Sequence, residues 1–336
     1  MTGPAPRVSV AIPLYNEEVG IHQLLARVCA VLDSLPGGPH ELVLVDDGST
    51  DHTIALLEAA SREEDRLVIL KLSRNFGHQA ALSAALDHVT GDVTMVLDGD
   101  LQDPPELIPQ FLQLYAEGND VVYAQRLNRK ESWVLRAVYF CFYRAFDRLS
   151  STHVPLDAGD FGLISRRVVD LIRRMPERHR YIRGMRSWLG FRQAALPVDR
   201  PPRYAGTTKY TWRRLLNLAF DGIFAFSIVP IRTTLVFGVV AVSLSVVFGL
   251  YALYAKMFMG GDPRGFTALT LLIIFLSGVN LFFLGIIGEY VGRVYEQSKG
   301  RPIYVIDRIV RNQMDLSRDQ TSAIEDTRSP QPAEAE

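Results

Sequence analysis

Cysteine is nearly absent from this chain. Cys29 and Cys141 are too few to frame a disulfide fold, and neither sits in a metal-chelating spacing. No G-x-G-x-x-G follows the first strand-like segment, which argues against a dinucleotide oxidoreductase. No nucleic-acid-binding motif accompanies the basic residues, so nucleic acid is not an expected partner. No signal peptide is recognisable at the N-terminus, where a short polar arm leads into a strand, so the first domain is expected to stay in the cytoplasm. Net charge is also nearly absent, at −1. That value hides two opposed blocks, about −13 over residues 1–125 and about +13 over residues 126–214. The basic block precedes the most apolar part of the chain, which suits a surface facing anionic lipid headgroups or an anionic substrate.

Long apolar runs are present, and there are two. Residues 233–255 and 266–288 carry no formal charge, and each is long enough to cross a hydrocarbon core of ~30 Å with some tilt. A buried helix of a soluble core is the alternative for either one; two in tandem point to a transmembrane hairpin. Arg213, Arg214 and Arg232 precede the hairpin, and Arg293, Lys299, Arg301, Arg308 and Arg311 follow it, while the connection holds only Lys256 and Arg264. The positive-inside rule then puts both termini in the cytoplasm of a multi-pass membrane protein. Residues 211–232, apolar at helical spacing with arginines near the start, read as a helix lying in the membrane interface. Residues 289–311 follow as a cytoplasmic segment in which Glu289 and Arg293 are spaced to pair. Residues 312–336 are polar, acidic and poor in aromatics, and are expected to be disordered.

Residues 1–210 form the remaining domain, in which strand-like and helix-like segments alternate. Arg7 to Leu14, Glu41 to Val45, Leu67 to Leu72, Val93 to Leu97 and Val121 to Ala124 read as strands; amphipathic helices fall between the earlier ones. Ser49 or Asp51 is suited to cap the helix after the second strand. Such alternation predicts an α/β, doubly wound, mainly parallel sheet. Ligands bind such sheets beyond the carboxyl ends of the strands. Three of those ends are polar: Asn16 with Glu17, Asp46 with Asp47, and Asp98 with Asp100. Asp98-Gly99-Asp100 is the sharpest of them. Two carboxylates one residue apart at a strand end suit a hard divalent cation, Mg²⁺ or Mn²⁺, that fills its other positions with water and phosphate oxygens.

SVAIPLYNEE, DDGSTDHT, SRNFGHQAAL and DGDLQDPPE, in this order and spacing, resemble the family 2 inverting glycosyltransferases of GT-A fold, in the branch that uses polyprenyl phosphates. The resemblance covers roughly residues 7–307. It implies that Pro13, Tyr15 and Glu17 line a nucleoside site, that Asp46 or Asp47 holds the base or ribose, and that Asp98, Asp100 and Gln102 surround metal and diphosphate. It also implies that Asp160, in the segment Asp157 to Phe161, is the catalytic carboxylate, for which a helix or turn cap is the alternative. Two residues depart from the branch pattern. His78 stands where a lysine is frequent, and Gly162 stands where an arginine is usual. The loop Arg200 to Tyr210, RPPRYAGTTKY, is similar to the family's mobile flap, so Arg200, Arg203 and Lys209 would meet the phosphates of donor and acceptor. Between Arg126 and Ser150 an amphipathic helix is expected, its aromatic side either core or lipid-facing.

The reaction so implied is inverting transfer of one sugar, UDP-glucose being the first choice of donor, to polyprenyl phosphate at the cytoplasmic membrane face. GDP-mannose, UDP-N-acetylglucosamine and pentose donors stay open. A homo-oligomer, dimer or tetramer, is expected. The rivals are a processive polysaccharide synthase, for which Q-x-x-R-W is missing, and a silent nucleotide-sugar-binding membrane protein.

Overall fold

The computed structural model describes residues 4–126, 158–178, 180–199, 229–258, 265–311 and 314–315. It divides into two units, the first a sheet domain and the second, among the described residues, 229–258 and 265–301. The flap loop with Arg200, Arg203 and Lys209, the helix expected within 126–150 and the interfacial helix expected over 211–232 lie outside the described residues.

In the sheet domain, strands β1 (Val8–Leu14), β2 (Glu41–Asp46), β3 (Leu67–Leu72) and β4 (Val93–Val96) form a parallel centre in the order β4-β1-β2-β3. Their residues are buried on both faces, hence the continuous apolar runs in place of alternation. Helices α1 (Ile21–Ser34), α2 (Thr53–Ala60) and α4 (Ile108–Ala116) cover one face over Val10, Ile12, Leu44, Ile69 and Met95. Helix α3 (His78–His88) covers the other over Ala11, Val43, Val45 and Leu70. Each fully buried Leu, Ile or Phe here contributes ~1.5–3 kcal/mol.

Beyond this centre the expectation of a mainly parallel sheet is corrected. The sheet is mixed, with described order β7-β5-β6-β4-β1-β2-β3-β8-β9. Strand β6 (Ala158–Ser165) lies between β4 and β5 (Val121–Arg126), antiparallel to both. It contains Asp160, so the alternative of a helix or turn cap for that residue is also corrected. Gly162 makes this insertion fit, because a Cβ there would sit 2.4 Å from the Val122 carbonyl oxygen. The usual arginine has no room at that position. Helices α5 (Arg166–Arg174) and α6 (Ile182–Trp188) then join α3 on its face, and β7 (Gln193–Val198) pairs parallel with β5.

The chain re-enters this domain after the apolar helices. β8 (Ile306–Arg311) pairs antiparallel with β3, burying Ile309, and β9 (Met314–Asp315) pairs with β8. Lys71 and Asp307 form an ion pair at 2.7 Å, and Tyr304 Oη donates to Asp87 at 2.7 Å. Residues 302–311 and 314–315 therefore belong to the sheet domain, beyond the expected limit at residue 210, while the rest of the tail expected to be disordered lies outside the described residues.

The second unit holds α7 (Val229–Phe258) and α8 (Phe266–Ser298), whose Phe237 and Phe283 rings lie 5.7 Å apart. Both extend past the expected spans. Among the described residues one stretch is long and apolar enough to cross a membrane, Phe275–Ser298, and none of it is buried. Arg293 Nε donates to Glu289 at 2.9 Å, as their spacing predicts.

Candidate active site at the carboxyl ends of the strands

The loops after β1 and β2 are bolted together by hydrogen bonds. Asn16, at φ +57°, donates its amide to Ser49 Oγ at 2.9 Å, and its side-chain oxygen accepts from Thr50 N at 2.8 Å. Glu17 N donates to Thr53 Oγ1 at 2.9 Å. Asp51, and not Ser49, takes the amide of Thr53 at the start of α2. Pro13 is buried in β1, and Tyr15 is exposed beside these loops.

Asp46 ends β2 and Asp47 follows it, and both are buried. Asp46 accepts from Ser49 N at 3.3 Å. Asp47 uses one oxygen for Phe76 N at 2.7 Å and the other for Gly77 N at 2.9 Å. Burial pushes both carboxyls above their ordinary range, although these amides pull the other way. Asp47 thus shapes the SRNFG loop. Gly48, at φ +68°, lies where a Cβ would sit 2.6 Å from the Arg74 carbonyl carbon.

The D-x-D turn follows β4. A Cβ on Gly99 would sit 2.4 Å from Leu14 Cδ2, so a larger residue in this turn would have to displace the Leu14 side chain at the end of β1. Asp100 Oδ1 accepts from Gln102 N at 3.1 Å, with Leu101 between them at φ +60°. Asp103, almost fully buried, accepts from Asp98 N at 3.2 Å. Asp98, Asp103, Ala124, Gly159, Asp160, Phe161 and Val198 line a shallow open cleft. The fold therefore brings Asp98 and Asp160, 62 residues apart in the chain, to the same cleft.

Asp160 is only 8% exposed and is held from two helices. From α6, Arg183 donates through Nε to Oδ1 at 2.6 Å and through Nη2 to Oδ2 at 2.9 Å. From α3, His78 Nε2 lies 3.4 Å from Oδ2 and Gln79 Nε2 donates to it at 3.5 Å. Burial pushes the Asp160 carboxyl up, but His78 and Arg183 outweigh it and hold the group far below the carboxylate range. Burial likewise pulls the His78 imidazole down, while Asp160 and Asp98, the latter at 3.9 Å, raise it above its ordinary value. Behind them Arg186 is fully buried, donates to Gly159 O at 2.9 Å and faces the Tyr123 ring. Burial pushes its guanidinium down to about 10.

Sequence reasoning missed Arg183, Arg186, Gln79 and Asp103, and it read His78 only as a departure. The two arginines bracket Gly184 in YIRGMRSW, a signal without meaning until α6 is packed behind β6.

Asp98 and Asp100 supply hard oxygen donors. Among the described residues no group of three or more His, Cys, Asp or Glu side chains could enclose a metal ion. A two-carboxylate site of this kind fits a cation that completes its shell with substrate phosphate and water.

The Glycosyl transferase family 2 profile matches residues 9–173. An uncharacterized glycosyltransferase of Synechocystis is 40% identical over 300 residues, 89% of this chain and 94% of its own length. A prophage bactoprenol glucosyl transferase homolog of Escherichia coli K12 is 36% identical over 90% of this chain and 99% of its own. The bactoprenol glucosyl transferase of Shigella phage SfX is 35% identical over 89% and 98%. Among solved structures, a mannosyltransferase of Pyrobaculum calidifontis in complex with GDP-Man and Mn²⁺ aligns at a TM-score of 0.47 and 21% identity, covering 66% of this chain and 65% of that one.

Proposed function

The chain belongs to glycosyl transferase family 2, and on that premise we propose that it moves one sugar from a nucleotide-sugar to the phosphate of a polyprenyl lipid. It is an enzyme of the GT-A-like α/β class with a mixed sheet. Relatives named bactoprenol glucosyl transferase, matched over nearly their whole length, support the lipid acceptor and favour glucose, with UDP-glucose as donor. The observation that carries the reading is the cleft shared by the D-x-D turn and Asp160.

The nucleoside is assigned to Pro13, Tyr15, Glu17, Asp46 and Asp47 at the ends of β1 and β2. Asp98, Asp100 and Gln102 would hold Mg²⁺ or Mn²⁺, which when bound would offset the charge of the departing nucleotide diphosphate. An acceptor phosphate oxygen attacks the anomeric carbon from the face opposite the diphosphate. The new carbon–oxygen bond forms as the old one breaks, the electron pair leaves on the diphosphate, and configuration inverts. A phosphate monoester has its second pKa at ≈ 6, so it arrives largely ionised and needs no strong base. Asp160 therefore serves orientation and electrostatics. Arg200, Arg203 and Lys209 are assigned to offset the repulsion between two phosphorylated substrates.

A phosphate tethered to a lipid stays in the headgroup plane, so a membrane-held site gains proximity. That is the proposed role of the interfacial helix and the hairpin, with both termini cytoplasmic and a homo-oligomer as the assembled form.

The test is turnover of purified protein with undecaprenyl phosphate, a panel of nucleotide-sugars, and Mg²⁺ or Mn²⁺ with and without chelator. A lipid carrying one glucose, formed from UDP-glucose and lost with chelator, is the expected result. A water-soluble polymer would replace this reading with a processive synthase. Nucleotide binding without transfer from any donor would replace it with a silent binding protein.

A further inference from the structure

Asp160 is gripped through both of its oxygens. A carboxylate offers about four lone-pair positions. Here four donor contacts reach the group, one on Oδ1 from Arg183 Nε and three on Oδ2 from Arg183 Nη2, His78 Nε2 and Gln79 Nε2, so Oδ2 is fully engaged and Oδ1 keeps one acceptor position. Two of these come from one planar fork, the arrangement that fixes a carboxylate in orientation as well as place. The fork is itself held. Gln79 uses the other end of its amide, Oε1, to accept from Ile182 N at 3.0 Å, at the first residue of α6. One side chain on α3 thus ties the start of α6 to the carboxylate that α6 grips. Arg186, one helical turn on, fastens the same helix to the Gly159 carbonyl beside Asp160.

We propose that Arg183, secured by Gln79, is a positioning residue that locks Asp160 in one pose. The carboxylate then acts as a fixed negative charge at the cleft. The inference rests on the transferase reading and adds residues to it that neither the D-x-D turn nor the flap contains.

The experiment is steady-state kinetics of the full chain in detergent or lipid for wild type, Arg183→Met, Arg183→Lys, Asp160→Asn, Arg183→Met/Asp160→Asn and Gln79→Met. Arg183→Met is expected to lower kcat by roughly 10²-fold, the scale of losing one preorganised electrostatic group. The nucleotide-sugar KM should change little, because donor binding is assigned elsewhere. Arg183→Lys should recover part of the loss. The double variant should be no slower than Asp160→Asn alone, since the two residues act as one unit. An Arg183→Met enzyme with kcat within about 2-fold of wild type, or single losses that multiply in the double variant, would overturn the proposal. Should Arg183→Met fail to fold, Gln79→Met carries the same comparison of kcat with KM. Hydrogen exchange at the start of α6, read without turnover, must quicken in Gln79→Met. If wild type transfers no sugar, the transferase reading falls, and unchanged exchange at α6 would separately sink the clamp.

Discussion

His78 Nε2 stands 3.4 Å from Asp160 and 3.9 Å from Asp98, a single imidazole bridging the carboxylate of β6 and the first carboxylate of the D-x-D turn. A departure from the family pattern thus occupies the junction of the cleft. A cation or N–H donor at this point links the two acids, and lysine can do the same. His78→Lys is therefore expected to retain most turnover. His78→Ala should lose about 10- to 100-fold in kcat, the equivalent of one hydrogen bond to a charged group. Side-by-side initial rates at saturating donor check this.

Asp100→Ala and Asp98→Ala should each reduce glucosyl transfer by at least ~10²-fold, as expected when a charge-stabilising group of the reaction is removed. Neither should lower the melting temperature appreciably, because Asp98 and Asp100 are half-buried in the turn and lie outside the apolar core. Titrating Mn²⁺ back into chelator-treated wild type should restore activity, while the variants stay inactive. Thermal melts and rates on the same samples separate the two effects.

Glu41 lies at the opposite end of the strands from the cleft. Burial raises its pKa, but bonds from Ser9 Oγ and from Thr90, together with the Arg7 charge, outweigh this and lower it from 4.5. The unfolded chain therefore takes up this proton first on acidification. Stability from Glu41 is fully present above its ordinary value and is lost as pH falls through the lowered folded value. Glu41→Gln should destabilise by ~1–3 kcal/mol at neutral pH. The gap between variant and wild type should narrow below about pH 4.5. Thermal unfolding across pH 3.5–7 reads this directly.

Ile309 is 6% exposed and packs in the core with Val43 and Leu70 although it follows both apolar helices in the chain. Ile309→Ala should cost ~2–5 kcal/mol by leaving a cavity. If residues 302–311 were a free cytoplasmic segment, the same change would cost nothing measurable. Proteolysis supplies a second check: the wild-type segment should resist cleavage until the sheet domain melts.

Gly162→Arg would install the residue usual in this branch. Its Cβ would meet the Val122 carbonyl at 2.4 Å, inside a paired strand that has little freedom to move. Destabilisation of ~1–3 kcal/mol or more is expected, with no gain in activity. A faster and equally stable variant would show that the β5–β6 ladder yields.

Local chemistry in the sequence was sufficient for the parallel centre of the sheet, the strand-end acids and the apolar helices. Buried parallel strands are short apolar runs, a tight turn at a strand end shows as Asp-Gly-Asp, and a bilayer demands an uncharged run. Each of these signals lies within a few consecutive residues. Tertiary structure alone decided the rest. The Asp160 strand inserts antiparallel between β4 and β5, pairing residues 33 to 72 positions apart. β8 joins the edge of β3 across more than 200 residues, so nothing near Ile309 in the chain marks it as core. Arg183 meets Asp160 only because α6 folds back behind β6, and an arginine in a basic stretch looks the same whether it faces water or grips a buried carboxylate. Partners so far apart in the chain are chosen by packing, which no local pattern encodes.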